Sequence, residues 1–147
     1  MDERKDLDIL KELLDHDTFV RNTGIKYEEV RGGYCRVRMT VGKEHLNFLG
    51  APHGGAVFTV ADAAFAGSCN GHGELAVAVS VTVDFMAPVK EGTVLVGEAT
   101  EIHRTRKIGH YRLEVRTESG ELVSQAKGTA YFLGKTFTEW EKNQKSK

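Results

Sequence analysis

The hydrophobic pattern changes period along the chain, and each change predicts an element. Leu7, Leu10 and Leu14, joined by Ile9 and Leu13, recur at helical spacing and predict a helix over 5–20. Acidic residues Asp2, Glu3, Asp6 and Asp8 crowd its start, where the helix dipole favours them, and Asn22 and Gly24 end it. Segments 25–31 and 34–41 read as two strands joined at Gly32-Gly33. In the second, Cys35, Val37, Met39 and Val41 face one way, and Tyr34, Arg36, Arg38 and Thr40 the other. Strict period two returns in 77–85, with Val77, Val79, Val81, Val83 and Phe85 on one face and Ala78, Ser80, Thr82 and Asp84 on the other. Pro88 and Gly92 mark a turn into 93–103, whose apolar face is read as Val94, Val96 and Ile102. Segment 110–118 alternates Tyr111, Leu113 and Val115 against Arg112, Glu114 and Arg116. After Gly120, segment 122–133 places Leu122, Ser124, Ala126, Gly128, Ala130 and Phe132 on a shared face. Three stretches follow: an N-terminal helix over 1–22, a main domain over 23–134, and a loose polar tail over 135–147 in which Phe137 and Trp140 are able to dock.

Between the two β regions the pattern breaks. Residues 46–73 carry one charge, Asp62, where the chain's 28% charged content would supply about eight. Segment 55–69 is long enough for four helical turns and apolar nearly all round, the signature of a buried helix. Long antiparallel strands with one such helix predict an α+β architecture, a curved antiparallel sheet wrapped around a central helix.

Composition narrows the function classes. With 20 Lys and Arg against 21 Asp and Glu, the net charge is −1, which leaves no footprint for nucleic acid or an anionic membrane surface. The length suits one domain with its own core. Cys35 and Cys69 sit in apolar stretches and read as reduced core thiols, with no spacing for a metal. The start, Met1 to Lys5, is charged and lacks the apolar core of a secretion signal, and no apolar run reaches membrane-spanning length without Gly, Pro or a charge. A cytoplasmic protein is expected.

Candidate chemistry gathers in the uncharged stretch. On a helix, Asp62 has Phe58, Thr59, Phe65 and Ala66 as neighbours, an apolar stripe in which a lone carboxylate is costly unless its charge is used. A structural Asp bonded to nearby backbone is the competing explanation. His53-Gly54-Gly55 precedes the helix without a Ser, Thr, Asp or Asn cap in the usual place, so open N–H groups at Gly54 and Gly55 are candidates for an oxyanion site. A plain Gly-rich turn would read the same way, and Asn47 and His53 are each common in turns. Asp62 lies eight residues beyond Gly54, about 12 Å along a helix axis. One helix cannot bring its own N-terminus to its own Asp62. If both serve one reaction, two antiparallel copies must each lend one group, forming two equivalent sites in a two-fold dimer.

The pattern Asn47-x-x-Gly50-x-x-His53-Gly54-Gly55-x-x-Phe58-x-x-Ala61-Asp62-x-Ala64-Phe65-Ala66-x-x-Cys69-Asn70, followed by Asp84-Phe85-x-x-Pro88 and Gly92, resembles the hot-dog-fold thioesterases of the phenylacetic-acid-degradation type over roughly residues 20–133. The resemblance implies a hot-dog fold, a dimer or dimer of dimers, and hydrolysis of acyl-coenzyme A thioesters, with coenzyme A as part of the substrate and no separate cofactor. It implies that the Gly54 N–H polarises the thioester carbonyl, that Asp62 of the other subunit acts as general base or nucleophile, and that Asn47 and His53 orient thioester or water. Some relatives carry a hydroxyl on the strand after the helix; the matching place here holds Ala78, and Ser80 and Thr59 are the nearest substitutes. Arg104, Arg106 and Lys107 form the best basic cluster for the nucleotide phosphates, with Lys90 a weaker candidate, and Phe48 is a candidate for the acyl pocket. Two other readings share the fold: a non-catalytic acyl-CoA-binding or regulatory module, which would not need Asp62, and an enoyl-CoA hydratase, which needs an acid–base pair on one substrate.

Overall fold

The computed structural model describes residues 2–147; Met1, the first residue of the expected N-terminal unit, lies outside them. Helices α1 (Glu3–Asp15) and α2 (Thr18–Thr23) lead into strands β1 (Lys26–Arg31) and β2 (Tyr34–Thr40). Helix α3 (Gly54–Asn70) follows, then β3 (Glu74–Phe85), β4 (Val94–Arg104), β5 (Ile108–Thr117), β6 (Leu122–Thr136) and α4 (Phe137–Lys145). The strands form one antiparallel sheet in the order β1-β2-β4-β5-β6-β3. Helix α3 packs on the inner face of that sheet and touches every strand. This is the α+β hot-dog architecture, a curved sheet around a long central helix with a helix at the N-terminus.

The core is the helix against inward-facing strand positions. Cys35, Val37 and Met39 on β2, Tyr111, Leu113 and Val115 on β5, and Ser124, Ala126, Gly128, Ala130 and Phe132 on β6 are buried, on the faces their alternation predicts. Strand β4 departs from its reading. Its inward face is Leu95, Gly97 and Ala99, while Val94 and Val96 are half-buried and Ile102 is exposed. The cause is close helix approach: a Cβ on Gly97 would stand 2.7 Å from Val60 Cγ1 and 2.9 Å from the Val60 carbonyl oxygen. Only a small residue fits there, so the core face of β4 reads as small rather than as hydrophobic. Cys35 and Cys69 are free, buried thiols, and burial pushes both pKa values up to about 12, which leaves them protonated and inert.

Three further expectations are corrected. The helix over 5–20 is two helices, because Asp17 leaves the helical path and its Oδ1 accepts from the Val20 N–H at 3.0 Å, capping α2. Gly24 does end the second helix, at φ +81°. The stretch after Gly134 is ordered: β6 continues to Thr136, whose side chain caps α4 in a reciprocal capping box with Glu139. Buried Phe137 anchors that helix, and the Asp6 carboxylate of α1 accepts from the Thr138 N–H at 2.8 Å and hydroxyl at 2.6 Å, tying the chain ends together. Finally, α3 is not buried all round. Gly55 and Asp62 are exposed, and Thr59 and Ala66 between and beyond them are half-buried, which leaves an open stripe along one side of the helix.

Candidate active site

The site begins in the loop that carries the chain into α3. Buried His45 pins its base: Nδ1 accepts from the Gly42 N–H at 2.9 Å, so Nε2 carries the proton and donates to the Thr23 carbonyl at 2.7 Å. The His45 carbonyl accepts from the His53 N–H at 2.7 Å, and Leu46 and Pro52 form an antiparallel bridge. Asn47 closes the loop. Its Oδ1 accepts from the Leu49 N–H at 2.9 Å and the Ala51 N–H at 3.1 Å, with Gly50 turning at φ +76°. That oxygen is fully engaged, so the Asn47 side chain can offer a substrate only its amide N–H groups. Phe48, at the loop tip, is 93% exposed and is not among the residues that wall the cleft beside Gly54.

His53 supplies the cap that its residue type had concealed. Its Nδ1 accepts from the Gly55 N–H at 2.9 Å, which fixes the ring as the Nε2–H tautomer in this arrangement. The N–H groups of Ala56 and Val57 both reach the His53 carbonyl, at 2.9 and 3.2 Å. Gly54 alone in this first turn has an N–H without an acceptor among the described residues. The expected pair of open donors therefore reduces to one, Gly54, with Gly55 committed to the cap. A free N–H at the positive end of a 17-residue helix suits an oxygen that gains negative charge.

Beside Gly54 lies a cleft of about 330 Å³, walled by Val57, Phe85, Met86, Pro88, Val89 and Val123, with no ionisable side chain. Phe85 lies against Gly54: a Cβ there would stand 3.5 Å from the ring. Nothing local in the sequence joins these residues. They meet because β3 returns along the outside of β6 and ends beside the start of α3.

Asp62 sits two turns further along the open stripe. One side of its carboxylate faces solvent, yet the protein mass around it, and secondarily the negative charge of Asp17, hold its pKa above the ordinary carboxylate value. It makes no hydrogen bond or ion pair among the described residues. The lone carboxylate is thus exposed in a single chain rather than enclosed in an apolar core, and the structural alternative of a backbone-bonded Asp finds no bond. Thr59, one turn before it, donates to the Gly55 carbonyl at 2.7 Å instead of reaching Asp62, and Ser80 lies on exposed β3 opposite Thr129. Arg104, Arg106 and Lys107 stand at the other end of α3 from Gly54, lining a separate cavity with His72 and Gly73. Among the described residues no group of three His, Cys, Asp or Glu side chains could hold a metal, and no helix is long and apolar enough to cross a membrane.

Comparison with known proteins gives the arrangement its context. The sequence model of the thioesterase superfamily matches residues 49–124, from the loop tip to the first residues of β6. The acyl-coenzyme A thioesterase PaaI of Escherichia coli K12 is 32% identical over 126 residues, covering 86% of this chain and 90% of that protein. A protein of Archaeoglobus fulgidus is 42% identical over 109 residues, 74% of this chain and 71% of its own. The solved structure of PaaI from the phenylacetic acid degradation operon of E. coli superposes with a TM-score of 0.85 at 30% identity, covering 91% of this chain and 97% of that one.

Proposed function

This chain belongs to the thioesterase superfamily as a PaaI-like hot-dog thioesterase, and from that membership we propose that it hydrolyses acyl-coenzyme A thioesters at sites shared between two copies of itself. The observation that carries the shared site is the separation of Gly54 and Asp62 on one unbroken helix, about 12 Å along its axis. An open N–H at one position and an unbonded carboxylate at the other cannot act on one thioester within a chain. Antiparallel pairing of two α3 stripes would bring the Gly54 of each copy to the Asp62 of the other.

The exposed surface supports that pairing. Strand β3 is a sheet edge of 12 residues, and Val77, Val79, Phe85 and Met86 on and after it are all about half exposed or more. A long apolar edge is a liability that a partner strand removes. Covering it would continue the sheet and enclose the α3 stripe together with Asp62.

In the proposed reaction, the thioester oxygen accepts from the Gly54 N–H, which stabilises the negative charge that grows as the carbonyl is attacked. Asp62 of the second copy, ionised, either takes a proton from the attacking water or attacks the carbonyl carbon itself. Addition gives a tetrahedral centre, its collapse breaks the carbon–sulfur bond, and the thiolate of coenzyme A leaves and is protonated. In the nucleophilic route the resulting anhydride with Asp62 is then opened by water. The Asn47 amide donors and the His53 Nε2–H orient thioester or water from the loop side. The uncharged cleft beside Gly54 fits an apolar acyl group, aliphatic or aryl, better than one that ends in a carboxylate.

The test is thiol release from a panel of short, long and aryl acyl-CoAs. Turnover of at least one above an Asp62→Ala control is expected. Equal rates for wild type and control across the panel would exclude hydrolysis by this site, and loss of enoyl-CoA absorbance on hydration would favour a hydratase instead.

A further inference from the structure

Three large apolar side chains are held out in solvent near the two ends of the Gly54–Asp62 stretch. Phe48 and Leu49, at the tip of the loop before α3, are 93% and 75% exposed, and Phe19, on α2, is 66% exposed. None of them sits on a loose segment. The loop is closed by the two bonds to Asn47 Oδ1 and by the Leu46–Pro52 bridge. Helix α2 is closed at both ends: Asp17 caps its start, the Thr23 hydroxyl donates to the Val20 carbonyl at 2.6 Å, and Gly24 turns the chain out of it. Exposed aromatic surface on rigid backbone is the usual form of an unfilled contact.

The fold fixes which way Phe19 points. Helix α2 touches α3. It begins at Asp17, near enough to Asp62 for its charge to be felt there, and ends where the Thr23 carbonyl accepts from His45 at the base of the loop. It therefore runs beside the first half of α3, in the opposite direction. Phe19 and Arg21 stand about 100° to either side of buried Val20. Arg21 lines a cavity of about 510 Å³ with Lys26 and Tyr27 of β1. Phe19 is thus on the other flank of α2, turned away from β1, which borders the open stripe of Gly55, Thr59 and Asp62. Thr23, one turn on from Phe19, shares that flank and lies next to His45.

We propose that Phe19 of each copy packs against Phe48 and Leu49 of the other, so that α2 of one chain and the loop tip of its partner close the shared site on the side of Asp62. This rests on the shared-site reading in one respect, the antiparallel pairing that brings Gly54 of one copy to Asp62 of the other. With Gly54 in that place, the loop that leads into it arrives beside the other chain's Asp62, where α2 begins. No residue from Leu46 to Pro52 is charged, so the tip can be desolvated against an aromatic ring without stranding an ion. The two-fold axis forms the contact twice, and buried aromatic anchors carry much of the energy of an interface. Helix α2 thereby becomes part of the site, holding the partner's Asn47 loop over the carboxylate that Asp17 adjoins.

A short bis-maleimide cross-link tests the contact without turnover. Phe19→Cys chains and Phe48→Cys chains are mixed in equal amounts and allowed to exchange. Cys35 and Cys69 are buried and protonated, so the introduced thiols carry the reaction. Covalent dimers are expected in the mixture and only background in either variant alone. A double-mutant cycle on dimer dissociation gives the second measure, and both side chains are exposed, so the fold is kept. Phe19→Ala and Phe48→Ala each weaken the dimer by at least about tenfold, and the double variant is little weaker than either single one. No cross-link in the mixture, or losses that simply add, would overturn the contact. Mixtures of Gly54→Pro and Asp62→Asn chains that regain activity while Phe19 and Phe48 do not link would end this contact and leave the shared site standing. Linkage in a dimer that hydrolyses no thioester would uphold the contact and end the hydrolase reading.

Discussion

Asp62→Asn is expected to lower kcat by at least about two orders of magnitude with fold and assembly retained, because the amide keeps the size of the carboxylate but can neither take a proton nor attack a carbonyl. The structural cost is small: Asp62 is exposed in the single chain and makes no hydrogen bond or ion pair that the variant would break. A loss of activity at unchanged thermal midpoint and unchanged mass in solution would therefore report on chemistry. The same carboxylate sets the pH dependence. Either of its roles needs the ionised form, so kcat/KM falls as pH drops through its pKa. Because its surroundings and Asp17 raise that pKa, the acid limb lies above the range of an ordinary carboxylate. Asp17→Asn removes the like charge and should move the limb to lower pH. A limb that moves to higher pH, or an Asp62→Asn enzyme with full kcat, would take Asp62 out of the reaction.

The second large effect is expected at a backbone atom. Gly54 is the first residue of α3, the helical position where proline is well tolerated, and its predecessor His53 is at φ −64° and ψ 137°, the extended conformation that a residue before proline adopts. Gly54→Pro therefore removes the N–H with the helix kept. Loss of about two to three orders of magnitude in kcat is expected, the scale seen when one oxyanion donor is deleted. Gly54→Ala is the control. It keeps the N–H, and its Cβ would meet Phe85 at 3.5 Å, an ordinary contact. Equal losses in the two variants would trace the effect to bulk beside Phe85 rather than to the missing donor.

The contrast between what local pattern revealed and what it hid has physical causes. Strands β2, β5 and β6 were legible because their buried faces carry larger or more continuous apolar residues than their outer ones. The inward face of β4 was misread because Gly97 must let Val60 approach, so the true core positions look small and the outer valines look buried. The break between α1 and α2 turns on two neighbours, His16 at the end of the first helix and Asp17, whose side chain caps the second. The axial distance from Gly54 to Asp62 needs only helix geometry, so the proposal that a second copy completes the site could be made before any tertiary structure. Three features could not: the role of His53 as cap, which leaves Gly54 as the one open donor; the exposure of Asp62, since its apolar neighbours suggested burial; and the meeting of Phe85 with Gly54, which depends on where β3 ends. For Phe48, Thr59 and Ser80 the single chain shows only their own surroundings, and any part they take in the site depends on the second copy. The first projects into solvent and the second bonds its own helix, while the third faces outward from a sheet edge.

The shared site is tested most directly by subunit exchange between two inactive chains. In a mixed dimer of Gly54→Pro and Asp62→Asn, one site carries both defects and the other carries neither. Equal mixing followed by exchange, verified by native mass spectrometry, should restore about one quarter of wild-type activity, since half the dimers are mixed and each holds one intact site. No recovery in a mixture shown to contain mixed dimers would mean that Gly54 and Asp62 do not meet across the two-fold axis.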